Sequence, residues 1–90
     1  MNHVAIDIGA SGGTVFLGEV TQSSFAVREV HRSDNRPVER NGRYVWDVDA
    51  LVDLINDGLR AADDQADRLD TVGIDTWGLD FGLLADGELL

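Results

Sequence analysis

Apolar residues alternate with small or polar ones from the start of the chain. In HVAIDI (3–8), Val4, Ile6 and Ile8 point one way, while Ala5, Asp7 and the following Gly9 point the other. TVFLGEV (14–20) and FAVREVHR (25–32) also read as strands, separated by the polar turn TQSS. GASGG links the first two strands as a Gly-rich turn, so the opening reads as a three-stranded meander. Residues 33–43, SDNRPVERNGR, combine the only proline with Asn-Gly and read as a loop.

The period then changes. Val48, Leu51, Val52, Ile55, Leu59, Ala62 and Ala66 recur at three- and four-residue spacing, which predicts a helix with one apolar stripe. Asp47 or Asp49 supplies its N-cap, because a carboxylate there accepts backbone N–H bonds and suits the helix dipole. Asp53, Asp57, Asp63, Asp64 and Asp67 form a solvated opposite face. TVGIDT (71–76) returns to strand character, with Val72, Ile74 and Thr76 on one face and Gly73, Asp75 and Trp77 on the other. LDFGLL (79–84) reads as the start of a further strand, and Asp86-Gly87 as a hairpin turn before ELL.

The resulting β-β-β-α-β order predicts an α/β fold with a mixed sheet. The strand after the helix is expected parallel to the first, through a right-handed crossover. One helix covers one sheet face and leaves the other bare. Residues 1–90 therefore read as a partial domain of something larger.

Composition narrows the chemistry. Without cysteine there is neither a disulfide framework nor a thiolate metal site. Seventeen acids, thirteen of them Asp, face seven basic residues that are all Arg, for a net charge of −10. Such a field opposes nucleic acid and anionic membranes, and suits a surface adapted to high salt, as in a halophile. Strand-like sequence begins at His3, leaving no room for a signal peptide, and no apolar run is long enough to span a bilayer. A cytoplasmic address is expected.

Two stretches carry candidate chemistry. Asp7 stands at the end of a buried strand, where an acid can hold Mg²⁺ through water. The turn Gly9-Ala10-Ser11-Gly12-Gly13-Thr14 offers small residues and N–H groups that phosphate oxygens can approach. The plainer reading is a hairpin with an incidental acid. Neither the Walker A loop nor the Rossmann fingerprint is present.

The second stretch is GIDTWGLDFG (73–82). A carboxylate among apolar neighbours costs several kcal/mol unless compensated. Trp77 beside Gly78 and Asp80 suits a sugar or polyol, since the ring covers C–H faces and acids accept hydroxyl bonds. The plainer alternative is a core tryptophan whose neighbouring acids bond to loops. Asp75 and Asp80 also have the look of a glycosidase pair, although the sequence shows no donor of raised pKa. Both stretches end strands expected to lie side by side, so they can face one cleft. A phosphate-and-metal turn beside a hydroxyl-binding strand describes a small-molecule kinase.

IDIGASGGTVFLGEV resembles the first phosphate-binding hairpin of the FGGY carbohydrate kinases, in the actin/hexokinase/Hsp70 ATPase superfamily. The rhamnulokinase subgroup, whose opening typically reads D-L-G-A-S-S-G-R, is the nearest. REVHR (28–32), WDVDAL (46–51) and GIDTWGLDF (73–81) resemble its segments in the same order, so the likeness covers essentially the whole chain. It implies part of a ribonuclease H-like domain, with ATP and Mg²⁺ in a cleft between two such domains. Ala10, Ser11, Gly12, Gly13 and Thr14 match the turn that touches ATP phosphates, and Asp7 matches the acid near the metal. Gly78 matches a backbone contact to the sugar, with Trp77 and Asp80 nearby. The Asp that serves as general base in the family belongs to a later segment, as do the adenosine-binding parts.

Two positions depart from the pattern. Gly12 replaces the family's Ser, and Thr14 replaces its basic residue, which removes a charge-assisted phosphate contact. The expectation is therefore the N-terminal piece of an ATP-dependent ketose kinase, rhamnulose being the first candidate. It needs the remainder of the kinase chain as its partner, so these 90 residues alone are expected to be inactive. The alternatives are a truncated remnant, a sugar-binding module, or a kinase for another ketose or polyol.

Overall fold

The computed structural model describes all residues, Met1–Leu90. In chain order the elements are β1 (Asn2–Ile8), β2 (Gly12–Val20), β3 (Phe25–Asp34), β4 (Pro37–Arg40), β5 (Arg43–Trp46), α1 (Val48–Gln65), β6 (Thr71–Thr76), β7 (Leu84–Ala85) and β8 (Glu88–Leu89). The main sheet runs β3-β2-β1-β6. Its first three strands are antiparallel neighbours, and β6 lies parallel to β1 with Ile6 beside Ile74 and Asp7 beside Asp75. The chain is thus α/β with a mixed four-stranded sheet and one helix, as the periodicity predicts.

Two expectations need correction. The supposed loop 33–43 holds β3's last residues and most of a separate hairpin, β4–β5. Asn41 and Gly42, at φ 52° and 76°, make the left-handed turn that joins two strands with the right twist. Proline misled the reading, because it stands at the first residue of β4 in a two-stranded hairpin, where a missing N–H is tolerated. LDFGLL, in contrast, is not a strand from its start: pairing begins only at Leu84, around the turn Asp86-Gly87. The Cα radius of gyration is 15.6 Å, whereas a compact domain of this length has about 12 Å. The excess fits two small hairpins standing off the main sheet.

The helix begins where Asp47 Oδ1 accepts the Ala50 N–H at 3.1 Å, which settles the cap on Asp47. Its last turn contains Asp63 and Asp64 and no basic residue, an unfavourable arrangement for the dipole. Arg28 of β3 supplies the missing charge. Its Nη2 donates to the Gln65 carbonyl at 3.3 Å and its Nε to Gln65 Oε1 at 2.8 Å.

Val4, Ile6, Ile8, Val15, Leu17, Leu54 and Ala62 form the core, between α1 and one face of β1 and β2. The helix meets the sheet along Leu54, Gly58 and Ala62. That line is rotated from the stripe read off the sequence, because Gly58 lets the backbone close onto Val15. Ile55, Leu59, Val48 and Val52 consequently overhang one flank, and Val48 and Val52 are exposed. Leu59 of that flank shares a shallow cavity with Val4, Leu69 and Val72, so the overhang faces β6. The helix stops short of β6, whose Val72 and Ile74 remain 54% and 55% exposed on the helix side.

β6 is secured at its start by Asp70. Asp70 Oδ2 accepts the Asn2 N–H, the Asp70 N–H donates to the Asn2 carbonyl, and Oδ1 pairs with Arg68 Nε, each at 2.8 Å. The Asn2 N–H, and next the Arg68 charge, hold this carboxyl below its ordinary range against the opposing effect of burial. A lowered folded value stabilises the fold above the ordinary Asp pKa of about 3.9, and that stabilisation is lost as pH falls through the folded value. Asp70→Asn should therefore flatten acid denaturation in that window relative to wild type. Urea midpoints measured down the pH scale test this, and a pH-independent offset between the two proteins would contradict it.

Candidate functional site

Because β1 and β6 are parallel neighbours with Ile8 beside Thr76, the turn after β1 and the loop after β6 leave the same end of the sheet. The two candidate stretches therefore share one edge of the molecule.

The turn is built tightly. The Gly9 N–H donates to the Gly12 carbonyl at 2.8 Å. Asn35, just past β3, clamps it: its backbone N–H reaches the Ser11 carbonyl at 3.2 Å, and Nδ2 reaches the Gly9 carbonyl at 3.0 Å. Asn35 is the buried polar residue of the fold, and nothing in the sequence marked it. These bonds consume carbonyl oxygens and leave the N–H groups of Ala10 and Ser11, both exposed, without a partner in the chain. No residue of the turn adopts a left-handed backbone. Gly12 and Gly13 serve packing: a Cβ at Gly12 would lie 3.2 Å from the Ser33 carbonyl, and one at Gly13 would strike Leu54 at 2.4 Å. Of the five residues assigned to phosphate, Ala10 and Ser11 are thus the exposed ones with free backbone N–H groups. Thr14, the third residue of β2, is half-buried.

A single row crosses the sheet on the face away from α1. Arg32, Thr14, Asp7 and Asp75 stand side by side on β3, β2, β1 and β6. Asp7 and Asp75 are both exposed, and neither takes part in a hydrogen bond or ion pair. Like charges on neighbouring strands repel, which suits a cation between them. No group of three His, Cys, Asp or Glu side chains gathers anywhere, so Mg²⁺ here would keep waters and take ligands from a bound phosphate. The basic residue lacking at Thr14 has a counterpart in Arg32 on the adjacent strand, itself paired with Glu29.

The loop after β6 answers what compensates Asp80. Its Oδ2 accepts the indole N–H of Trp46 at 2.6 Å and that of Trp77 at 3.0 Å, while Oδ1 accepts the Phe81 N–H at 2.8 Å. The Trp77 bond, then the Phe81 N–H and the Trp46 bond, hold the Asp80 carboxyl below its ordinary range. A group so held is ionised near neutrality, so Asp80 is unsuited to be the protonated acid of a glycosidase pair. The two rings lie 4.7 Å apart, tilted by 42°. Trp77 turns inward and packs against the core rather than continuing the face of Asp75, and Trp46 lies outside it. Gly78 has open space where a side chain would stand. Leu79, at φ 62°, is fully exposed at the tip, a strained backbone for a leucine.

Trp46 ends β5 immediately before the helix cap and is 31 residues from Trp77 in sequence. Its part in the site follows from the β4–β5 hairpin, which the sequence reading took for a loop up to residue 43. No protein-family model matches the chain.

Proposed function

We propose that this chain is part of an ATP-dependent sugar kinase that moves the γ-phosphoryl group to a ketose hydroxyl, with rhamnulose the first candidate. The observation that carries this is the convergence of two stretches at one sheet edge: a turn with two free amides beside a pair of free carboxylates, and a loop with a fixed indole pair beside an open glycine. The strand order β3-β2-β1-β6, antiparallel then parallel, supports a ribonuclease H-like domain. In that domain the apolar furrow between α1 and β6 is where a further element of the same kinase would pack.

In this reading the Ala10 and Ser11 N–H groups receive phosphate oxygens, and Asp7, with Asp75 beside it, holds Mg²⁺ through water. The ion would neutralise charge on the transferring phosphoryl group. Trp77, Gly78 and Asp80 form the sugar side. The general base lies in a later part of the kinase. A sugar-binding module is the second reading, favoured by Thr14 in place of a cation.

Phosphorus NMR of Mg-ATP titrated with the protein tests the phosphate turn. Wild type should shift the phosphate resonances. Ala10→Asp, at an exposed position, should weaken binding by about tenfold, equivalent to about 1.4 kcal/mol. Equal ATP affinity in the two proteins, or none in wild type, would remove the kinase reading. Ketose phosphorylation by these 90 residues alone would refute the expectation that they need the remaining chain.

A further inference from the structure

We infer that Asp80 is a positioning residue and not a substrate ligand, and that the indole it holds outermost, Trp46, is the surface on which a sugar ring rests. This rests on the sugar-kinase reading and adds to it a residue from a different part of the chain.

Three observations carry the inference. Both oxygens of Asp80 are engaged, one by two indole N–H groups and the other by the Phe81 amide. Three of its roughly four acceptor positions are therefore taken by the protein's own donors. Each indole is fixed at two points, by its bond to Asp80 and by its contact with the other ring. A ring so held loses little side-chain freedom when a ligand arrives, which favours binding. Finally, Trp77 is backed by the core whereas Trp46 is not, and Gly78 leaves space nearby. Both rings are half-buried, and Trp46 is the one with no core behind it.

The ligand class follows from charge. A chain of net charge −10 disfavours a free anion. An organic cation would favour an aromatic ring beside an unpaired carboxylate, but the Asp80 carboxylate already has three donors. A neutral ring with C–H faces and hydroxyls fits what remains: an indole face and backbone groups at Gly78.

The chain's two tryptophans are both in this pair, so all indole fluorescence reports on it. Rhamnulose titrated into the protein without ATP should produce a saturable fluorescence change. Trp46→Ala should weaken binding about tenfold, and Trp46→Phe, which keeps an aromatic face, should recover most of that loss. Asp80→Asn should weaken binding and reduce the near-UV circular dichroism of the ring pair, with far-UV spectra unchanged. Should Asp80→Asn unfold the protein, the two Trp46 variants decide the matter, with Trp77 as reporter. No saturable change in wild type, wild-type affinity in Trp46→Ala, or tighter binding of choline than of rhamnulose would each overturn the inference. ATP binding measured in parallel separates the two readings. Sugar binding without ATP binding would defeat the kinase and keep the Trp46 surface, and ATP binding without sugar binding would do the reverse.

Discussion

Ile6→Ala should bring this protein close to unfolding, while Ile74→Ala, its neighbour across the sheet, should cost little. The two isoleucines are register partners on adjacent parallel strands, on the same face. Ile6 is 1% exposed beneath α1 and Ile74 is 55% exposed beyond the helix's reach. Truncating a buried isoleucine costs about 2–5 kcal/mol, from lost transfer energy plus the cavity left behind. A 90-residue domain commonly has a total stability of only about 5–13 kcal/mol. At Ile74 much of the side chain is already in water, so the expected loss is under about 1 kcal/mol. Urea midpoints of the two variants measure the difference. Similar losses at both sites would mean that something covers β6 in solution.

Gly58→Ala should also destabilise the fold, against the usual trend for helices. Glycine in a helix interior costs about 1 kcal/mol relative to alanine, so propensity alone predicts a gain. The added Cβ, however, would lie 2.3 Å from Val15 Cγ2 and 2.9 Å from Val15 Cβ. Val15 is fully buried in a central strand, and its branched side chain has little rotamer freedom. Overpacking of this kind costs about 1–3 kcal/mol, and a contact this short belongs at the upper end. The net expectation is a loss of about 1–2 kcal/mol, or a fall of several degrees in Tm for a domain of this size. A stabilised Gly58→Ala would show that helix and strand are further apart than described. Asn56→Ala, at an exposed position on the same helix, is the control for propensity alone.

The main sheet was legible because its signals are local. Alternation in β1 and β2 places Val4, Ile6, Ile8, Val15 and Leu17 on the helix side, where they are buried. The helical period and Asp47 mark α1. The parallel placement of β6 followed from the intervening helix. What the sequence hid depends on distant partners. Gly58 has no apolar side chain and so escaped the stripe, yet it centres the helix on β2. Asn35 looks like any turn residue until the Gly9 and Ser11 carbonyls are beside it. Trp46 carried no site role in the sequence, because no local rule relates it to Trp77 and Asp80. For the candidate site, the two segments were legible, but the bonding that occupies Asp80 was not.

The position of β6 has a consequence for the order in which the chain assembles and comes apart. The meander and α1 join segments that are near in sequence, so they can close early. β6 must find β1 across a separation of 68 residues, as the Asn2–Asp70 bond records. It then adds an edge ladder while contributing no buried residue. Within the main sheet it is thus the strand whose departure breaks fewest apolar contacts, a low rung in a ladder of partial openings. Trp77 and Asp80 travel with it. The ring pair can therefore dissolve in excursions too small to melt the core, and its amides should exchange with solvent ahead of those in β1 and β2.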